Sequence, residues 1–108
     1  MTEDPIVRDT GSVFADLGMP DADERQTKTR LAMAVNEIIQ QRKLKQIDAA
    51  RILGIPQPRV SALVHYRLNE FSVEKLMGFL TSLGHDVEIT IRPRVSDVAG
   101  VVSVLTVR

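Results

Sequence analysis

Residues 46–66 read QIDAARILGIPQPRVSALVHY, and this stretch decides the fold. Ile47, Ala50 and Leu53 recur at i, i+3 and i+6, a spacing that puts them on one face of a short helix. Gly54 follows, and glycine just past a helix tolerates the left-handed stop. Ile55 plugs the corner. Pro58 belongs at the first position of a second helix, where its missing N–H does no harm, with Gln57 as the expected cap. Val60 and Leu63 form the buried side of that helix. Ala50 is the small residue that lets two steeply crossed helices approach.

Two short helices joined at a steep angle by a tight turn containing glycine make a helix-turn-helix, whose second helix can enter the DNA major groove. Gln46, Ala50, Gly54, Ile55, Val60, Ser61 and Leu63 together resemble the Xre/phage-repressor class. The wider run over residues 13–92, about three quarters of the chain, resembles the HigA-like antitoxin branch of that class. That resemblance is carried by VFADLGMPDADE (13–24), LKQIDAARILGIPQPRVSAL (44–63) and FSVEKLMGFLTSLGHDVEITIRP (71–93).

A chain of 108 residues fits one domain with a modest core. It has no cysteine, hence no disulfide and no thiolate metal site, which suits a reducing cytosol. No apolar run reaches membrane-spanning length, and residues 1–11 are too acidic and polar for a secretion signal. With Phe14, Tyr66, Phe71 and Phe79 the only aromatics, an aliphatic core is expected. The net charge is zero, but its distribution is uneven. Residues 42–67 hold Arg42, Lys43, Lys45, Arg51, Arg59 and Arg67 against Asp48, a net +5. Residues 1–27 carry a net −5. A basic patch coinciding with the motif favours DNA over a merely solvated surface.

Residues 1–20 are expected to form an N-terminal arm, in which Val13, Phe14 and Leu17 make a short helical turn packed on the body or dock on a partner. Asp21 and Glu24 are placed to cap a long helix over about 22–42. Leu31, Val35, Ile38, Ile39 and Leu44 give it an apolar stripe. Ser72 opens another helix with Val73, Leu76, Met77, Leu80 and Leu83 buried, and Gly84 ends it. The period then changes: Val87, Ile89 and Ile91 alternate with Glu88, Thr90 and Arg92, a strand. A lone strand is unstable. It pairs either with the β-branched run at 101–107 or with its copy in a second subunit, and the resemblance to HigA-like antitoxins implies the second. The expected fold is mainly α: a lambda-repressor-like helix-turn-helix domain of about five helices with a C-terminal strand. Residues 21–84 are the DNA-binding unit, and residues 85–108 are the strand and tail used for dimerisation.

Gln57, Pro58, Arg59, Ser61 and Ala62 lie on the second motif helix, on the side away from Val60 and Leu63. Glutamine can bond adenine in pairs, arginine can do so to guanine, and Ser or Ala can touch a thymine methyl. Pro58 departs from the polar residue usual there in the family and removes one such contact. Gln46 starts the first motif helix, whose amide end can hold a phosphate. Lys43, Lys45, Tyr66 and Arg67 are further phosphate candidates. His65 and His85 make no metal spacing, and no cofactor motif is present. No serine elbow or glycine-rich phosphate loop is present, so the sequence does not read as an enzyme.

The sequence therefore reads as a homodimeric repressor of a palindromic operator on double-stranded DNA. The resemblance implies more: an antitoxin that neutralises a RelE/HigB-like mRNA-cleaving toxin and represses its own operon. Such toxins are usually basic, which points to the acidic residues 1–27 and the front of the long helix as their site, with the apolar tail 95–108 as the competing one. The rival readings are a stand-alone phage-like Xre regulator and a protein-interaction module that has lost DNA binding. A regulator with its own effector domain does not fit in this length.

Overall fold

The computed structural model describes residues 21–95 and 97–107. Its helices are α1 (Asp21–Gln41), α2 (Gln46–Leu53), α3 (Gln57–Val64) and α4 (Val73–Ser82). The fifth expected element, the turn around Val13, Phe14 and Leu17, falls in an arm that lies outside the described residues. Helix α1 packs mainly on α4, and α2 packs on α3. The core sits between these pairs.

The stripe of α1 is buried as its spacing predicts, through Leu31, Val35, Ile38 and Ile39, with Ala32 also fully buried. Thr27 extends it by one turn toward the N-terminus. Its hydroxyl donates to the Asp23 carbonyl at 3.0 Å, so the buried oxygen is not left unpaired. Helix α4 buries Val73, Leu76, Phe79 and Leu80, and the Ser72 side chain caps it by accepting from the Lys75 amide. The core is not purely aliphatic. Phe71 and Phe79 meet edge to face near its centre, with ring centroids 5.8 Å apart.

Three local expectations need correction. On α2 the buried residues are Ala49 and Leu53, while Ile47 is 56% exposed and Ala50 only partly buried. Side chains turn by about 100° per residue on a helix, so choosing Ala49 as the small contact residue swings Ile47 off the core. At α3 the cap is Pro56, in an extended conformation, so Gln57 is the first helical residue and Pro58 sits inside the first turn. Proline fits there because the first amides of a helix have no intrahelical partner. Asp21 likewise lies within the first turn of α1 rather than ahead of it.

The expected C-terminal strand is not confirmed. Among the described residues no strand forms, and residues 86–92 and 101–107 do not pair as a hairpin. Val87 and Val104 are partly buried against the helical core. Ile89 and Ile91 are exposed. The alternation is present, but a strand exists only opposite a partner edge, and within this chain there is none among the described residues.

Candidate nucleic-acid interface

The corner between α2 and α3 is held as its sequence requires. Gly54 takes φ 71°, the Ile55 amide donates to the Ala50 carbonyl at 3.1 Å, and the Ile55 side chain is buried. Val60 and Leu63 then anchor α3 with no exposed surface. That anchoring fixes which side of α3 looks outward. Gln57 and Pro58 are exposed, Ser61 and Ala62 are half-buried, and His65 is exposed at the C-terminal end. The His65 ring Nδ1 lies 2.8 Å from the Ser61 carbonyl, which can only accept, so Nδ1 carries the proton.

Arg59 does not share that face. It leaves α3 on the flank, with its side chain turned to the segment before α4. Its guanidinium carbon is 4.9 Å from the centroid of Phe71. Nη2 donates to the Glu70 carbonyl at 3.2 Å, and Nη1 is 3.8 Å from the Glu70 carboxylate. The structure thus brings Gln57, Pro58, Ser61 and Ala62 together and sets Arg59 apart from them.

The rest of the basic patch divides in the same way. Arg42 donates from Nη2 to the Leu83 carbonyl at 2.6 Å, tying the end of α1 to the end of α4. Arg51 pairs with Asp48 at 3.5 Å. Lys43, Lys45 and Arg67 are exposed and have no ion pair among the described residues. Lys45 precedes α2, whose N-terminus no side chain caps. The first amides of that helix, beginning with Gln46, therefore have no side-chain cap, the arrangement that accepts a phosphate.

Features beyond the sequence reading surround this surface. Lys43 and Tyr66 adopt φ 53° and φ 61°, left-handed conformations unusual for such residues. Asn36 of α1 donates to the Leu63 carbonyl at 3.1 Å, pinning the far end of α3. Tyr66 also lines an open groove of about 620 Å³ with Met33 and Val104, among others. Among the described residues no cluster of His, Cys, Asp or Glu could hold a metal ion. No helix among them is long and apolar enough to cross a membrane.

Comparison with known proteins places this geometry. Residues 13–92 match the family model described as a helix-turn-helix domain. A solved structure named as an XRE family transcriptional regulator is similar to 82% of this chain and 100% of its own, at 53% identity and a TM-score of 0.78. No curated protein sequence matches the chain.

Proposed function

The chain belongs to the helix-turn-helix domain family, in its XRE branch, and we propose that this DNA-binding regulator is a sequence-specific repressor that binds a palindromic operator as a homodimer. The observation that carries the reading is the outward face of α3. It presents Gln57, Pro58, Ser61 and Ala62 from a helix rigidly anchored by Val60 and Leu63. Lys43, Lys45 and Arg67, which flank the motif helices in sequence, supply unpaired positive charge for phosphates. Gln46 adds the amide end of α2. Gel-shift titration of the chain against its own promoter DNA tests this. Binding that weakens with added salt and survives competition by unrelated duplex is expected. No shift even at low salt would leave a protein-interaction module as the better reading.

The finer proposal is an antitoxin that neutralises a RelE/HigB-like RNA-cleaving toxin and represses its own operon. It is supported by the resemblance of the sequence to HigA-like antitoxins and by the net −5 of residues 1–27, suited to a basic partner. A second gene beside this one encoding a small basic protein, co-purifying with the chain, is the expected finding. Deleting residues 1–19 should then abolish capture of that protein and leave operator binding intact. Capture undiminished by the deletion would move the toxin to the tail, residues 95–108. No such neighbour and no captured protein would leave a stand-alone regulator.

A further inference from the structure

Arg59 makes its side-chain contacts off the outward face of α3. Arg59 bridges α3 to the segment before α4 by three contacts of different kinds: a stack on Phe71, a hydrogen bond to the Glu70 carbonyl and an ion pair with the Glu70 carboxylate. Phe71 is itself embedded in the core, edge to face with Phe79 of α4. A continuous path therefore runs from α3 through Arg59, Phe71 and Phe79 into α4.

We propose that Arg59 is a positioning residue for DNA reading: it sets the angle of α3 against α4, and base recognition falls to Gln57, Ser61 and Ala62. This rests on the DNA-binding reading given above. A bidentate guanine contact needs two guanidinium donors aimed together at one base edge. In Arg59, Nη1 and Nη2 both face Glu70, and Nε is buried without a partner. Reaching a base requires the side chain to leave the Phe71 ring and give up both Glu70 contacts. The residue type also suits a clasp. A planar guanidinium stacks on an aromatic ring while donating in its own plane, whereas a lysine ammonium keeps only the donation.

The test uses the duplex that the wild-type protein selects from a randomised library, together with each single-base-pair variant of it. Arg59→Ala is expected to weaken binding to all of these by a similar factor, about tenfold, the size of one lost hydrogen bond to a charged group. The order of preference at every position stays as in wild type. Arg59→Lys, which still donates to the Glu70 carbonyl, recovers part of the loss. Glu70→Gln changes affinity less than Arg59→Ala, because stack and carbonyl bond remain. If Arg59→Ala does not fold, Arg59→Met, which keeps an unbranched chain on Phe71, takes its place. Preference relaxed at a single base pair would overturn the proposal and make Arg59 a base reader. Affinity unchanged in Arg59→Ala, or no rescue by lysine, would overturn it as well. A wild-type protein that selects no sequence overturns the DNA reading itself, a result separable from the others.

Discussion

The four helices of the described residues end alike, and the difference between them lies in single residues. Each end carries a bond from an amide just past the helix to the carbonyl five residues earlier: Leu44 to Ile39, Ile55 to Ala50, Arg67 to Ala62 and His85 to Leu80. The residue just before each of these donors is left-handed: Lys43, Gly54, Tyr66 and Gly84. Glycine adopts this conformation freely, whereas a residue with a Cβ loses about 1 kcal/mol there. Gly54 and Gly84 were legible in the sequence as helix stops for that reason. Lys43 and Tyr66 were not, because neither residue type signals a left-handed turn. Both are also phosphate candidates, and strain tolerated at a functional surface is a recurring pattern. Lys43→Gly should therefore raise stability, by less than about 1 kcal/mol because glycine loses more chain entropy on folding, in thermal or urea unfolding while weakening DNA binding. Tyr66→Gly should gain less, since Tyr66 also lines the groove against Met33 and Val104. A Lys43→Gly protein that is both less stable and equally tight on DNA would contradict this account.

At the scale of elements, α1 acts as the spine on which the other helix ends are fastened. Asn36 holds the end of α3 and Arg42 the end of α4. Its stripe was readable because four of its core residues follow helical spacing without interruption. The buried side of α2 was misread because Ala49 and Ala50 are adjacent and equally small. Only the partner helix decides which of them it contacts, and the larger Ile47 pulled the reading the wrong way. The charge count had a similar limit. Six cations between residues 42 and 67 looked equivalent, yet Arg51 pairs with Asp48 one turn back on its own helix, and Arg42 and Arg59 each bond a neighbour that sequence alone does not bring into reach. Arg42→Ala should thus lower stability by about 1 kcal/mol through the lost bond to Leu83, yet leave the salt dependence of DNA binding unchanged. Lys43→Ala and Lys45→Ala should do the reverse, each reducing the slope of log affinity against log salt by about 1 without loosening the fold. Equal slopes for all three variants would show that the distinction between bonded and unbonded cations has no bearing on DNA.

At the scale of the whole molecule, residues 86–92 and 101–107 lie largely uncovered. Ile91 is 89% exposed and Leu105 85%, and Ile89 and Val107 are also well exposed. A β-branched segment with unsatisfied ladder groups invites pairing with another chain. The alternation of Val87, Ile89 and Ile91 supplies one regular edge, and a two-fold axis would set this edge against its own copy. Such a dimer would also present two α3 helices to two half-sites, as a palindromic operator requires. Proline at position 89 removes a ladder donor from the middle of that edge and leaves the helical core untouched. The wild type is then expected to sediment as a dimer and Ile89→Pro as a monomer that melts with its helical signal intact and binds a single half-site without cooperativity. Because half-sites bound singly lose the gain of linkage, its affinity for the full operator should fall by about 10²-fold or more. If Ile89→Pro remains fully dimeric, the contact lies elsewhere. Truncation before residue 95 would then separate the apolar tail, with Leu105 and Val107, from the outer surface of α4 as the site that joins the two copies.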